Sequence, residues 1–210
     1  QWISKWGNQY YVDYDGKTVQ GLRTIDGVTY DFGTNNTYNE KGTVSGYLNI
    51  DNNGYRWYES GKLYTGFRYY TGTYYYFENG VRQENKWETA WGMKYYVGSD
   101  GRAVQGIQII DGQAYDFGTN GTFNLKNQPT GYYNDGNTWK WYEKGRTYTG
   151  IRFYMGAYYY FKDGVRQNNQ WVHEWGNTYY VGNDGRTVQG LYTIAGKSYN
   201  FGNNLTYYLR

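Results

Sequence analysis

The chain has 210 residues, among them 31 Tyr, 9 Trp and 31 Gly, with one Pro, no Cys and a net charge of +3. Leu, Ile, Val and Phe make up only about 16% of it, a fraction typical of disorder, but disordered chains are poor in aromatics and rich in charge, so a core of aromatic rings fits better. The absence of Cys excludes disulfides and thiolate metal sites, the weak and evenly spread charge makes no case for nucleic acid, and no run approaches the ~18 apolar residues of a membrane helix.

The chain opens in mid-pattern at Gln1-Trp2, with no initiator Met and no signal peptide, and reads as a piece of a longer protein. At Trp2 begins the motif W-x3-W-G, which returns at Trp87 and Trp171, 85 and 84 residues further on. The string YYVDYDGKTVQGLRTIDGVTYDFG follows over residues 10–33 and recurs, little changed, over 95–118 and 179–202. Its Asp-Gly steps between short aromatic and β-branched runs predict hairpins, because Gly accepts the positive φ of tight turns. Segments 34–54 and 119–136 are richer in Asn, Thr and Gly and predict longer loops or irregular strands. A second kind of unit, WYESGKLYTGFRYYTGTYYYFENGVRQ from Trp57, is matched by WYEKGRTYTGIRFYMGAYYYFKDGVRQ from Trp141. The chain therefore divides into long repeats 2–86 and 87–170 and a half repeat 171–210, one repeat domain over residues 1–210.

A finer period underlies both kinds of unit. Gly16, Gly61, Gly101, Gly145 and Gly185 are each followed by a second glycine at +5 and a third at +11. Beyond the third glycine stand Tyr30, Tyr75, Tyr115, Tyr159 and Tyr199 at +3, then Phe32, Phe77, Phe117, Phe161 and Phe201 at +5. Positions two apart share one face of a strand, so these rings point together. One proline and no sustained 3.6-residue period argue against helices. The expected fold is all-β, a solenoid of stacked short β-hairpins with an aromatic core, each hairpin too small to bury its rings alone.

With stretches such as YYVGSDGRAVQGIQIIDGQAYDFG (residues 95–118) in view, the chain resembles the glucan-binding repeats of glucansucrases and surface proteins of lactic acid bacteria and streptococci, within the cell-wall and choline-binding repeat superfamily. The shared pattern is an aromatic pair, an Asp-Gly turn, Val-x-Gly, then Ile-Asp-Gly-x-x-Tyr-x-Phe. The resemblance implies a β-hairpin solenoid that binds α-glucan polysaccharide or oligosaccharide, extracellular and beside a catalytic domain of a secreted enzyme, with no cofactor. In the choline-binding branch a Trp follows the glycine closing the hairpin. The equivalent residues are Leu22, Phe67, Ile107, Ile151 and Leu191, and aliphatic side chains supply no ring faces for a trimethylammonium group, which favours glucan over choline.

Sugars are bound by stacking a pyranose face on an aromatic ring while planar polar groups bond the hydroxyls. Gln20, Gln105 and Gln189 meet this need: the preceding Val19, Val104 and Val188 face the core, so each Gln faces out, near the strands of Tyr11 and Tyr30, Tyr96 and Tyr115, or Tyr180 and Tyr199. The bland alternatives stay open, a solvated Gln and core tyrosines. Of the W-x3-W pairs, Trp2, Trp87 and Trp171 read as structural, whereas Trp6, Trp91 and Trp175 are either packing or sugar platforms. Catalysis finds little support, since Asp15, Asp100 and Asp184 precede Gly as turn residues and Glu59 and Glu143 lack a repeated partner. His173 stands where the other copies have Ser4 and Thr89, and Asp13 has no repeated acidic counterpart, so neither a catalyst nor a metal site is expected. The sequons at Asn35, Asn120 and Asn204 read as turns. The expected function is a multivalent, non-catalytic carbohydrate-binding module without membrane insertion; the alternatives are an anchor binding teichoic acid, peptidoglycan or a host glycan, and a structural spacer.

Overall fold

Hairpin after hairpin is closed by a left-handed non-glycine residue followed by a left-handed glycine: Asp26-Gly27 (φ 50° and 78°), Asp111-Gly112 (51° and 75°) and Met155-Gly156 (47° and 79°) are examples. Two consecutive positive φ angles make the turn whose twist matches that of the strands it joins. In this computed structural model, which describes residues 1–50, 52 and 54–210, every regular element among the described residues is a strand, and all pairing is antiparallel. Asp51 and Asn53, within the segment expected to be irregular, lie outside the described residues. The rest of that segment includes strands Gly42–Thr43 and Gly46–Asn49, and segment 119–136 contains strand Gly131–Asn134.

Two compact units divide the chain, Gln1–Val104 and Gln105–Arg210. Each holds five sheets of two or three strands among the described residues. The first begins with hairpin Trp2–Lys5/Asn8–Tyr11 and continues through sheets such as Gly66–Tyr70/Thr73–Glu78/Val81–Arg82 to hairpin Lys86–Ala90/Met93–Val97. The second contains Gly131–Asn134/Trp139–Glu143/Arg146–Thr147, Gly150–Tyr154/Ala157–Lys162/Val165–Arg166 and hairpins Gln170–Glu174/Asn177–Val181 and Leu191–Ile194/Lys197–Asn200.

The repeated Phe is the core residue. Phe32, Phe117 and Phe201 are 0% exposed, and Phe77 and Phe161 nearly so, as the two-residue period predicts. Successive hairpins within a unit are joined by backbone hydrogen bonds at the turn glycines. Gly61 accepts from the Thr29 amide (2.7 Å) and donates to Val44 (2.7 Å); Gly145 accepts from Ala114 (2.8 Å) and donates to Pro129 (2.9 Å). A Cβ on Gly61 would lie 2.7 Å from the Thr29 carbonyl, and one on Gly145 2.6 Å from that of Ala114, so glycine is required there by close approach as well as by φ. Asp15, Asp100 and Asp184 accept from the amides of Lys17, Arg102 and Arg186 two residues on, the turn role expected of them. The sequon residues Asn35, Asn120 and Asn204 sit in left-handed turns, φ 56°, 58° and 53°.

Candidate functional site

Each Val-Gln-Gly step stands in irregular backbone just before the next strand. Gln20 and Gln189 are exposed and Gln105 is half-buried. Two of the three carry a bond to their own block: Gln105 donates from Nε2 to the Thr122 carbonyl at 2.9 Å, and Gln20 donates likewise to Thr37 at 3.3 Å. Gln189 instead lines an open surface pocket of about 360 Å³ with Asn183, Asp184, Arg186 and Tyr192. Tyr180 packs 6.0 Å from Tyr192, which brings a ring of the expected set next to that pocket.

Of the tyrosines singled out from the sequence, Tyr11, Tyr30, Tyr96, Tyr180 and Tyr199 pack against the first Trp of a W-x3-W pair. Tyr11 and Tyr30 meet Trp2 edge-on at 5.4 and 5.0 Å, with Phe32 at 5.7 Å. Tyr180 and Tyr199 meet Trp171 at 5.2 and 5.0 Å, with Phe201 at 5.7 Å. Tyr96 packs on Trp87 at 5.2 Å. Tyr115 is half-buried, and its hydroxyl donates to Gln113 at 3.3 Å.

Trp6, Trp91 and Trp175 occupy the left-handed first position of three hairpin tips, with φ 52°, 50° and 49°. They are 82, 63 and 60% exposed. Trp6 touches Tyr10 at 6.3 Å. Trp91 stands among Phe67, Tyr74 and Tyr95 at 5.8–5.9 Å. Trp175 lines a cavity of about 140 Å³ with Ile151, Tyr158, Tyr179, Leu205 and Tyr207.

A larger concavity lies where no site was expected. A cleft of about 470 Å³ in the second unit is walled by Tyr132, Trp139, Tyr154, Met155 and Tyr159, with Phe161 at its floor and Arg166 at its edge. Tyr132 packs 5.5 Å from Trp139, 6.1 Å from Tyr154 and 5.9 Å from Phe161. Tyr159 receives a hydrogen bond from Arg186 Nε at 3.2 Å and has the Arg166 guanidinium 5.8 Å from its ring centre. The first unit repeats this set as Tyr47, Tyr55, Tyr70, Tyr75 and Phe77, with Tyr47 and Tyr55 5.3 Å apart and Arg102 bonded to Tyr75 at 3.2 Å. The signal was present in the sequence, aromatic alternation on either side of an Asn-rich turn in GYYNDGNTWKW, but the turn residues make the stretch read as loop.

The two candidate carboxylates Glu59 and Glu143 are engaged. Glu59 pairs with Arg68, and Glu143 with Arg152. The Lys140 ammonium, 2.7 Å from Asp135, holds that carboxyl far below the usual range together with the Thr138 and Asn137 amides. The Tyr14 amide and the Arg23 guanidinium hold Asp13 down against its partial desolvation. His173 is exposed and shares a hydrogen bond with Thr178 at 3.1 Å. Among the described residues no three His, Cys, Asp or Glu side chains gather as a metal site would need, and no helix is long and apolar enough to cross a membrane.

No family model matches the chain. Over an alignment of 243 positions covering 95% of it, the chain is 26% identical to glucosyltransferase-I of Streptococcus downei, and it spans 14% of that relative's length. Solved structures that match it include alternansucrase in complex with isomaltononaose (23% identical, all of this chain and 16% of that one, TM-score 0.37). CbpJ (18% identical, TM-score 0.39) and choline-binding protein F (20%, 0.39), both from Streptococcus pneumoniae, match all of this chain over 94 and 92% of theirs.

The residue after the closing glycine separates the hairpins of this chain. Ile151 is 1% exposed in a cluster with Val172, Tyr179 and Val181, Leu22 packs against Val44, Ile50 and Tyr58, and Leu191 is 80% exposed. Phe67 differs: it is a ring, 4% exposed, against Tyr76 and Tyr95 at 4.9 Å and Trp91 at 5.9 Å. At that one hairpin the aromatic enclosure that aliphatic residues deny is present.

Proposed function

We propose that the chain is a non-catalytic carbohydrate-binding module for α-glucan, extracellular and accessory to a larger protein, with several weak sites acting together along one repeat array over residues 1–210. The observation that carries this reading is the placement of Trp6, Trp91 and Trp175. A bulky residue at positive φ costs roughly 1–2 kcal/mol, and indoles that stay 60–82% exposed recover only part of that by burial. Asn or Asp, which accept that backbone at less cost, fill equivalent tips at Asp26, Asp111 and Asp163. Trp at three matching exposed tips fits a stacking platform for a pyranose ring. Gln189 and Tyr192 at their pocket supply the planar donors and acceptors that sugar hydroxyls need. The similarity to a glucosyltransferase supports glucan as the ligand.

Weak sites on one chain raise the effective concentration of the next contact, so avidity for a polymer exceeds affinity for a short oligosaccharide. Affinity electrophoresis through gels containing dextran, starch or no polysaccharide tests the reading. Retardation by an α-glucan that free choline leaves unchanged is the expected result, and free migration in every glucan gel overturns it. The ring cluster at Phe67, Trp91 and Tyr95 favours a second reading, an anchor for a choline-bearing cell-wall polymer, in which choline elutes the protein from choline-substituted resin.

A further inference from the structure

We propose that the aromatic cleft of the second unit is a separate site for a saccharide bearing carboxylates, with Trp139 and Tyr154 as its platforms and Arg166 as the anion's partner. The proposal rests on the carbohydrate-binding reading and adds a second ligand class at a site distinct from the Gln189 pocket and the tip tryptophans.

The argument starts from the difference between two equivalent clefts. In the first unit Arg82 pairs with Glu84, Nη2 to Oε1 at 3.1 Å. The sequence VRQEN at residues 81–85 becomes VRQNN at 165–169, so Asn168 replaces Glu84 while Arg166 keeps the place of Arg82. Arg166 has no carboxylate partner among the described residues. At the first cleft the arginine is therefore neutralised by its neighbour, and at the second it is not.

The walls narrow the ligand further. Trp139 is 52% exposed although it lies beside Tyr132, so part of its indole is open to a ligand. Tyrosine rings with hydroxyl edges complete the cleft, a mixture of apolar faces and donors that suits a pyranose. A quaternary ammonium is disfavoured, because the Tyr159 ring already faces Arg166 at 5.8 Å and its hydroxyl already accepts from Arg186 at 3.2 Å. A carboxylate gains from the same guanidinium, which binds two oxygens in a planar fork.

The full chain is titrated with a hyaluronan tetrasaccharide as the carboxylated probe and isomaltotetraose as the neutral one, following the Trp139 indole N–H by NMR and affinity by calorimetry. The acidic tetrasaccharide is expected to shift Trp139, to bind more weakly as salt rises, and to lose about tenfold in affinity in Arg166→Gln and in Asn168→Glu. Asn168→Glu restores at Arg166 the pairing that Arg82 has, while Glu84→Asn uncovers Arg82 and is expected to create a second acidic-sugar site. Isomaltotetraose binding is unchanged in all three variants. Acid binding that survives both Arg166→Gln and Asn168→Glu, or a Trp139 shift as large with isomaltotetraose, overturns the proposal. Absence of acid binding while isomaltotetraose still binds sinks this proposal alone; absence of both sinks the carbohydrate reading with it.

Discussion

The amide of Thr29 donates to the carbonyl of Gly61 at 2.7 Å, and that contact couples one hairpin's strand to the next hairpin's turn. Thr29 is 1% exposed and the approach leaves no room for a side chain at Gly61, whose Cβ would meet the Thr29 carbonyl at 2.7 Å. Gly27 is left-handed too, φ 78°, but its Cβ would meet nothing within 4 Å. Gly27→Ala is therefore expected to cost about 1–2 kcal/mol from backbone conformation alone. Gly61→Ala carries the same cost plus displacement of the strand, and urea midpoints that fall clearly further for Gly61→Ala check the difference. Equal midpoints would show that the inter-hairpin contact yields freely.

The tyrosine core sets the response to alkali. Burial pushes the hydroxyls of Tyr64, Tyr76, Tyr95, Tyr142, Tyr148 and Tyr179 above their ordinary value of 10.0. An acid held neutral by the fold contributes its full stability below the unfolded value. That contribution falls once the unfolded chain ionises, and is lost as pH rises through the folded value. Tyr75 runs the other way, its hydroxyl lowered by hydrogen bonds from Thr71 and Arg102. Six against one predicts thermal stability that is level across neutral pH and drops above about pH 10. Tyr142→Phe, at a side chain 1% exposed, is expected to shallow that drop, and thermal melts across the alkaline range read it directly.

Part of this fold is legible in the sequence, and the limits have physical causes. The core Phe residues follow from a strand's two-residue period, and the turn glycines from Asp-Gly and Asn-Gly steps, because both signals are local. The cleft of Trp139 and Tyr154 was not legible, because it forms only when strand Gly131–Asn134 pairs with Trp139–Glu143 and both meet the following hairpin. The Gln105 bond to Thr122 is hidden for the same reason, joining residues 17 apart through a loop. The positive φ of Trp6 is masked by its identity, since Trp-Gly is not a dipeptide that announces such a turn.

Trp6 offers a test of binding against stability. Its backbone sits at φ 52°, its ring is 82% exposed, and it meets the Tyr10 ring edge-on at 6.3 Å. Asn accepts that conformation at less cost, so Trp6→Asn is expected to stabilise the protein by about 0.5–1 kcal/mol. The same substitution removes a platform and is expected to reduce retardation in dextran gels. Chemical denaturation and affinity electrophoresis on one preparation measure both. A variant that is more stable and binds as well as the parent would assign the indole no part in sugar binding.

Gln105 and Gln189 occupy the same place in the repeat but do different work. Gln105 ties its block to the Thr122 loop at 2.9 Å, so Gln105→Ala is expected to cost about 1 kcal/mol of stability, the usual net worth of such a bond. Gln189 is exposed and faces its pocket with Tyr192, so Gln189→Ala is expected to change stability by less than about 0.5 kcal/mol, as surface substitutions usually do. Its effect falls on glucan binding, and pairing it with Tyr192→Ala, whose ring is 37% exposed, should weaken retardation further while the cooperative unfolding transition is kept. Loss of that transition in the double variant would place both side chains in the packing of the unit, and undiminished glucan binding would move the site away from the Val-Gln-Gly step to the tip tryptophans.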